Sequence, residues 1–496
     1  MTDTTATGTT AAARRWWILI VICLAQLMDG LDVTIVNIAL PHAQNDLGFT
    51  LGERQWIVTA YSLAFGSLLL LFGRISDIIG RRTMLLLGLV GFAVASALGG
   101  AAPTFGILIA ARALQGAAGA AIAPAALSLL STTFTDAKDR AKAFAIFGGI
   151  SGSGAAVGMI LGGVLTQFLN WRFTLFVNVV IALVAIIGAI VLIPRHAPAT
   201  TKPRLDALGT VLACAGLFSI VFGFANVEAQ SWSGSGTWAF LAAGVLLLAA
   251  FVWWQTRTTH PLLPLRIILN RTRGGANLAI FIAGIGLFAA FLFLSYFMQQ
   301  TLAFTPLATG LAFLPMVVGI VIAGGIATTQ LAPRFGPRAP ISLGLLAAAA
   351  ALVWLTGIST HSSYAGSVLG PLVLFGLGVG ATIAPAMNAG TANVRPEDAG
   401  IASATVNIAQ QIGGSIGTAL LNSIAAATLA AYLIGTNDHS PAGQAAATIH
   451  SYTTTFWVAA AVFTAGAAAC ALILQQHRNE TSTPTSTFSD PGQGPK

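Results

Sequence analysis

Fourteen apolar runs, each of about 20 residues or more, dominate the sequence. A helix needs about 20 apolar residues to cross the hydrocarbon core of a bilayer. The runs lie near residues 16–40, 55–73, 83–101, 105–131, 143–166, 172–193, 207–227, 237–256, 275–300, 306–328, 338–358, 365–391, 401–427 and 453–475. The alternating short strands of a membrane barrel are absent, which leaves helices as the spanning structure. The sequence therefore predicts an all-α integral membrane protein with fourteen transmembrane helices.

The charged residues also indicate a membrane protein. Only 8% of the 496 residues are charged, whereas soluble domains carry about 25%. The net charge of +8 does not indicate nucleic-acid binding, because 20 of the 23 Lys and Arg residues, all but Arg54, Arg112 and Arg172, fall in cytoplasmic segments if the N-terminus is inside. This asymmetry follows the positive-inside rule. It predicts a multi-pass protein of the cell (inner or plasma) membrane, surrounded by lipid bilayer, with both termini in the cytoplasm.

Two stretches of the sequence recur about 260 residues later. The segment GAAIAPA at 119–125 returns as GATIAPA at 380–386, and DIIGRRTMLLLGL at 77–89 returns in eroded form as PRFGPRAPISLGL at 333–345. Repeats of this size are typical of secondary transporters, in which two half-bundles enclose a site near the middle of the membrane. Shared Ala and Gly content alone is the alternative explanation, but the common order of loop and span disfavours it.

The repeats divide the chain into two six-helix bundles with two helices inserted between them. The predicted boundaries are a cytoplasmic N-terminus at 1–15, a first bundle at 16–193, a linker at 194–274 with helices near 207–227 and 237–256, a second bundle at 275–475, and a disordered cytoplasmic tail at 476–496. The amphipathic-looking stretch 261–274 is expected to lie at the cytoplasmic interface ahead of the ninth span.

The first span carries two carboxylates, Asp29 and Asp32, although an ionised Asp at the bilayer centre costs about 3 kcal/mol on insertion scales. Asp32 lies roughly 12 Å from the outer end of its span, and Arg112 lies roughly 10 Å into the fourth span from the same face, at about 1.5 Å per residue. We therefore expect Asp32 to face Arg112. Asp29 lies about one turn deeper and has no basic partner in any predicted span.

Gln26, Asp29, Asp32 and Asn37 fall within an arc of about 140° on the first helix, at 100° per residue. A polar arc on a membrane helix is expected to face a wet cavity rather than lipid. These residues are therefore predicted to bind protons or substrate. The alternative is structural: an ion pair at a helix crossing, with Asp29 satisfied by neighbouring amides.

The second half of the chain offers polar and aromatic residues but no acid within its spans. Aromatic walls with few fixed polar groups accommodate varied lipophilic compounds, cations included. The predicted substrate contacts are Phe291, Tyr296, Gln299, Gln300, Asn388, Asn407 and Gln411.

Five motifs together resemble the major facilitator superfamily, and within it the fourteen-span drug:proton antiporters. They are LDVTIVNIALP at 31–41, GRISDIIGRRTML at 73–85, RALQGAAGA at 112–120, GSGAAVGMILGG at 152–163 and NWRFTLFVNV at 170–179. The resemblance places Asp32 at the acidic position of the first-helix motif and Arg112 and Gln115 in the fourth-span motif. Arg112 and Gln115 are therefore also predicted to take part in proton coupling or substrate binding.

The resemblance also implies a cytoplasmic gate formed by Gly73, Asp77, Gly80, Arg81 and Arg82. In the family this loop latches onto helix ends of the neighbouring half. The alternative is that the arginines only orient the chain in the membrane, but that leaves the acid among them unexplained.

The fifth span resembles the family's antiporter motif through Gly154, Gly158, Gly162 and Gly163. The motif normally carries a proline where this chain has Met159, and its loss is expected to remove a local helix distortion. Glycines at this spacing also serve as a plain packing seam between helices, which is the alternative to a special hinge.

The family resemblance implies a proton-coupled antiporter that exports amphipathic drugs or toxic small molecules, cations among them, from the cytoplasm. It would act as a monomer, driven by the proton gradient. One alternative is a dedicated exporter of a single metabolite, such as an antibiotic, lipid or siderophore. Another is a membrane receptor that transports nothing.

We predict no enzyme activity, no metal and no cofactor. No cluster of His, Asp and Glu and no nucleophile–base pair is placed near a membrane surface, and the seven histidines show no metal-like spacing. Cys23, Cys214 and Cys470 fall inside predicted spans without a CxxC pair, so no disulfide is predicted.

Overall fold

The computed structural model describes residues 4–49, 51–194, 205–230, 232, 234–438 and 440–475, and regular structure in these ranges is entirely helical. The predicted fold class is confirmed. The predicted tail at 476–496 lies outside the described residues, as does the side chain of Asn37.

Fourteen membrane-length helices, α1 to α14, follow one another along the described chain. They are α1 (Thr4–Leu47), α2 (Leu51–Ile79), α3 (Arg81–Gly100), α4 (Phe105–Thr133), α5 (Ala137–Phe168), α6 (Phe173–Leu192), α7 (Ala207–Gln230), α8 (Ser235–Gln255), α9 (Arg271–Tyr296), α10 (Leu307–Phe335), α11 (Arg338–Leu355), α12 (Tyr364–Gly390), α13 (Ala399–Thr436) and α14 (Pro441–Ile473). Thirteen are long and apolar enough to span a membrane as single helices, and the bent helix α5 supplies the fourteenth span.

The two bundles are built by the same packing pattern. In the first bundle α1 packs on α5 and α6, α2 packs on α4, and α3 packs on α4 and α6. In the second bundle α9 packs on α13 and α14, α10 packs on α12, and α11 packs on α12 and α14. Each helix of the first bundle therefore has a counterpart eight helices later, so the sequence repeat corresponds to a structural repeat.

Equivalent glycines support the same contact in both bundles. A Cβ at Gly88 on α3 would lie 3.1 Å from the carbonyl oxygen of Ala118 on α4. A Cβ at Gly344 on α11 would lie 2.7 Å from the carbonyl oxygen of Gly378 on α12. At both positions the neighbouring helix backbone is too close for a side chain. This explains why the glycine is kept in both copies of the repeat.

The inserted helices α7 and α8 form a hairpin on the flank of the molecule, where α7 packs against both α2 and α13. The apolar residues of the segment after α8 divide into two sets, of which Ile268 and Leu269 are exposed, and its place at the membrane interface stays a prediction. Leu262, Leu263 and Ile267 form the other set and are buried in a cluster with side chains of α2, α7, α8 and α13. Helix α9 then begins at Arg271.

Candidate functional site: a buried charge cluster beside a central cavity

Asp32 and Arg112 form a fully buried ion pair inside the first bundle. The relative exposure of their side chains is 0% and 1%, and Arg112 donates from Nη1 to Oδ2 of Asp32. The contact expected from their matching depths is therefore present. A buried pair of this kind is strongly destabilised when one partner is removed, because the remaining charge has no compensation.

Two amides complete the coordination of the Asp32 carboxylate. Asn178 on α6 donates to Oδ1 at 2.6 Å, and Gln115 on α4 donates to the same oxygen at 3.1 Å. Gln115 also donates to Oγ of Ser96 at 2.8 Å. Asp32 is therefore held by side chains from two helices besides its own, α4 and α6, and is sealed from solvent.

Arg112 is also fixed on its far side. Its Nε donates to the carbonyl oxygen of Ile57 at 3.2 Å, and its Nη1 donates to Oε1 of Gln115 at 2.9 Å. The guanidinium carbon lies 4.6 Å from the ring centroid of Tyr61, a distance suited to cation–π attraction. These contacts leave the guanidinium little freedom to turn toward a ligand.

Asp29 has a different environment, although it lies only three residues from Asp32 on α1. The hydroxyl of Tyr61 donates to its Oδ1 at 2.6 Å. The side chain lines a central cavity between the two bundles, and Gly119 leaves room for it: a Cβ there would lie 2.8 Å from Oδ1. Asp29 is thus the carboxylate that a molecule in the cavity would meet.

The space between the lining side chains of this cavity is about 820 Å³ with the open side included, and about 120 Å³ of it admits the centre of a water-sized molecule. Its polar lining consists of Gln26, Asp29, Thr34, Tyr61, Ser151, Asn407, Gln410 and Gln411, and its apolar lining includes Val33, Phe65, Leu287 and Phe291. Among the described lining residues Asp29 is the one carboxylate. An acid on the first bundle thus faces amides on α13 of the second.

Several predicted substrate contacts do not line this cavity. Tyr296, Gln299 and Gln300 are exposed near the end of α9, where the hydroxyl of Tyr452 contacts Oε1 of Gln300 at 3.4 Å. Asn388 accepts a hydrogen bond from Arg140 at 2.8 Å. Of the predicted second-half contacts, Phe291, Asn407 and Gln411 line the cavity, because only one face of each helix can point inward.

The glycines of α5 lie along α1. A Cβ at Gly154 would lie 3.0 Å from Cα of Gly30, and a Cβ at Gly158 would lie 2.7 Å from the carbonyl oxygen of Leu31 and overlap the hydroxyl of Thr34. A Cβ at Gly162 would lie 3.0 Å from Cγ1 of Ile35, whereas Gly163 faces Leu307 of α10, at 3.6 Å. Gly154, Gly158 and Gly162 therefore form a packing seam that brings α5 onto the acid-bearing helix.

The expectation that Met159 removes the distortion of this helix is wrong. The segments Ala137–Gly154 and Ala156–Phe168 are inclined by 43° to each other. Glycine allows the backbone to bend where a proline would force it to. The close contacts of Gly154 and Gly158 with α1 fix the direction of the bend. The helix therefore bends beside the cavity without a proline.

The predicted gating loop joins the two bundles at the end of α2 and the start of α13. The backbone N–H of Gly400, at the start of α13, donates to Oδ1 of Asp77 at 3.0 Å, and Arg81 lies 3.8 Å from the same oxygen. Gly73 permits this approach, because a Cβ there would lie 3.0 Å from the carbonyl oxygen of Gly400. A carboxylate at a helix N-terminus is favoured by the helix dipole.

The remaining residues of this loop stay within the first bundle. Gly80 has φ +94°, a conformation that other residues rarely adopt, and it separates α2 from α3. Arg82 donates to the carbonyl oxygen of Ile190 on α6 at 2.9 Å. Among the described residues of the loop, Gly73 and Asp77 thus make the contacts with the second bundle.

A second contact between the bundles involves Arg140 at the start of α5. Its guanidinium donates to Oδ1 of Asn388 at 2.8 Å and to Oγ1 of Thr391 at 3.1 Å, both at the end of α12. It also donates to the carbonyl oxygen of Ser131 at the end of α4, at 3.0 Å. Asp77 and Arg140 therefore hold opposite ends of the α12–α13 connection.

Comparison with known proteins identifies the family. The family model described as Major Facilitator Superfamily matches residues 22–418. The chain belongs to the major facilitator superfamily. It is therefore a membrane transporter and not an enzyme, and the resemblance of its motifs is confirmed.

Three curated relatives of this facilitator are exporters or resistance proteins by name. It is 46% identical to the puromycin resistance protein of Streptomyces alboniger over 96% of this chain and 94% of that protein. It is 37% identical to the cephamycin export protein of Amycolatopsis lactamdurans over 85% of each chain. It is 33% identical to the multidrug efflux pump LfrA of Mycolicibacterium smegmatis over 85% of this chain and 82% of that protein.

A solved structure supports the fold. The human organic anion transporter MFSD10 (TETRAN) matches this facilitator with a TM-score of 0.57 at 17% identity, over 90% of this chain and 99% of that one. At this level of identity the match concerns the fold alone.

Sequence reasoning did not assign a role to Tyr61, Ser96, Asn178 or Arg140. Tyr61 and Asn178 each place a polar group within a predicted span, which is a usable signal. Their partners could not be assigned, because the rotation of each helix about its axis follows from tertiary packing. Arg140 was counted only among the cytoplasmic positive charges.

Proposed function

We propose that this facilitator is a proton-coupled antiporter of the cell membrane that exports amphipathic, drug-like molecules, with both termini in the cytoplasm. The observation that carries the proposal is that Asp29 lines the central cavity between the two bundles while Asp32 is sealed in a buried ion pair. The names of relatives that cover most of the chain, including the puromycin resistance protein, support a drug as cargo.

Asp29 is the group that exchanges a proton for cargo in this proposal. When it is ionised, its carboxylate offers a counter-charge to a cationic group on the cargo. When it is protonated, that attraction is lost and the cargo is released. A proton and a cation thus compete for one side chain. This competition gives antiport driven by the proton gradient, without a cofactor.

The neighbouring pair of Asp32 and Arg112 has a supporting role. It places a fixed, internally compensated charge cluster behind Asp29, and Tyr61 connects the two through its hydroxyl and its ring. A change in the charge of Asp29 would therefore affect Arg112 through Tyr61, whose hydroxyl bonds Asp29 and whose ring contacts the guanidinium.

The contacts of Asp77 and Arg140 correspond to the cytoplasm-closed state of the cycle. Loading from the cytoplasm requires both contacts to part as the bundles rock about the central site. The cavity lies within a single chain and its described walls come from both bundles, which supports a monomer as the working unit.

A dedicated exporter of one metabolite is the second candidate. It is favoured by the cephamycin export protein, which covers 85% of the chain. The two candidates differ in selectivity: a multidrug exporter accepts unrelated cations, whereas a dedicated exporter accepts one compound and its close analogues.

The test is proton release from proteoliposomes that contain the purified chain and an internal pH dye. Addition of puromycin, ethidium or tetraphenylphosphonium is expected to drive proton movement with wild-type protein and not with Asp29→Asn. Asp46→Asn is the matched control, because Asp46 lies on the same helix but pairs with Arg172 at its outer end, at 2.9 Å. Full activity of Asp29→Asn would refute the assignment, and a response to puromycin alone would favour the dedicated exporter.

A further inference from the structure

The inserted hairpin and the segment that follows it are joined by a polar network. Asp206, just before α7, accepts hydrogen bonds from Gly209 N–H at 2.9 Å, Trp254 Nε1 at 2.9 Å and Gln255 Nε2 at 2.9 Å. Gln255 in turn accepts from the N–H of Leu263 at 3.0 Å. The start of α7, the end of α8 and the following segment therefore form one unit, here called the strap (the described residues 205–230, 232 and 234–270).

Directional contacts connect the strap to α13 at two places. In the α7–α8 turn, Trp232 donates from Nε1 to Oγ of Ser423 at 2.6 Å. At the cytoplasmic side, Arg266 pairs with Asp398 at 2.5 Å, and Asp398 immediately precedes α13. Hydrogen bonds and ion pairs weaken steeply when their geometry changes, so these two contacts resist sliding.

The contacts of the strap with α2 are of another kind. The ring of Trp56 lies 6.0 Å from that of Phe222, and a Cβ at Gly66 would lie 3.3 Å from Cγ2 of Val221. Leu70 joins the apolar cluster that includes residues of α7 and α8. Apolar contact is non-directional, and a surface of this type tolerates displacement of one helix along another.

We propose that the strap moves as one body with the second bundle, while α2 slides along α7 when the cytoplasmic gate opens. The strap then covers the seam between α2 and α13 in both states of the cycle. It also supports the gate from behind, because Arg266 holds the residue next to the helix end that Asp77 binds.

The test measures distances between spin labels in the full-length chain, in nanodiscs, after replacement of Cys23, Cys214 and Cys470. Labels at Leu208 on the strap, Ile79 at the end of α2 and Arg395 in the α12–α13 connection give three pairs. All three positions are exposed. The gate is opened by combining Asp77→Ala with Arg140→Ala, which removes the acceptor and the guanidinium that make both described contacts from the first bundle.

The Ile79–Arg395 and Leu208–Ile79 distances are expected to change by about 5 Å or more, the scale of a one-turn helix displacement. The Leu208–Arg395 distance is expected to stay unchanged, and adding Arg266→Gln is expected to broaden it. A Leu208–Arg395 distance that changes with the gate overturns the proposal. An unchanged Leu208–Ile79 or Ile79–Arg395 distance also overturns it. The readout needs no transported compound, so its failure is separate from failure of the proposed function.

Discussion

The hydroxyl of Tyr61 and the carboxylate of Asp29 are joined by a 2.6 Å hydrogen bond in the wall of the central cavity. The same tyrosine presents its ring to Arg112. One side chain therefore links the accessible acid to the sealed ion pair, and its two functions can be separated by mutation.

Tyr61→Phe keeps the ring and removes the donor. A hydrogen bond to a charged group contributes about 1.5–3 kcal/mol, so we expect proton-coupled transport of puromycin to fall by about tenfold or more. The change is measured in the proteoliposome assay. Phe65→Leu, in the same cavity wall, controls for lost aromatic surface; an unchanged rate in Tyr61→Phe would show that the hydroxyl has no part in coupling.

Asp32→Asn and Arg112→Gln are each expected to destabilise the protein by about 3–5 kcal/mol, because each leaves an uncompensated buried charge. The double variant is expected to recover much of this loss, and so is the exchange of Asp32→Arg with Arg112→Asp. Thermal unfolding in detergent, followed by size-exclusion chromatography, measures the effect. Single variants as stable as the wild type would contradict the pairing.

Asp77→Asn is expected to lower the turnover number more than it changes KM, because the carboxylate contacts a helix end of the gate and not the cavity. Arg140→Gln is expected to behave in the same way, since it removes the second contact between the bundles. Steady-state transport at varied puromycin concentration separates the two constants. A raised KM with normal turnover would count against a gating role.

Gly158→Ala is expected to destabilise the protein by about 1–3 kcal/mol through overpacking, since a Cβ there would overlap the hydroxyl of Thr34 on α1. Gly435→Ala is the matched control, because nothing lies within 4 Å of its added Cβ. Thermal unfolding compares the two. Equal stability of both variants would mean that α1 and α5 separate more easily than the seam implies.

Asp206 lies outside the membrane-spanning segments. Burial tends to raise the pKa of its carboxyl, but donors from Gly209, Trp254 and Gln255 outweigh this and lower the pKa below the ordinary value. A folded-state pKa below the unfolded one stabilises the protein above the unfolded pKa of about 3.9 and loses that effect as pH falls through the folded value. Asp206→Asn should therefore lower the unfolding temperature at pH 7, with a difference that shrinks below about pH 4. A constant difference across this range would refute the linkage.

The membrane helices could be predicted from the sequence because the requirement for about 20 apolar residues is local. The contact of Asp32 with Arg112 could be predicted from depth alone, since few charges are available at that level. The roles of Tyr61 and Asn178 could not, because they depend on helix rotation. The same reason explains why Asn388 was expected in the cavity but contacts Arg140 at the gate.

The bend of α5 shows another limit of motif reasoning. The missing proline predicted a straight helix at Met159, yet the bend is present. Its cause is distributed over Gly154 and Gly158 and over the surface of α1 that they contact. A single-residue rule does not describe a feature that two helices create together.

The strap makes the transporter one-sided toward the lipid. Because α7 packs over the groove between α2 and α13, it blocks a direct route from the bilayer to the cavity on that side. A hydrophobic molecule would have to enter on the opposite side, between α5 and α10, or from the water at either end of the cavity. The two grooves between the bundles therefore differ in their access to lipid, although the bundles share one architecture.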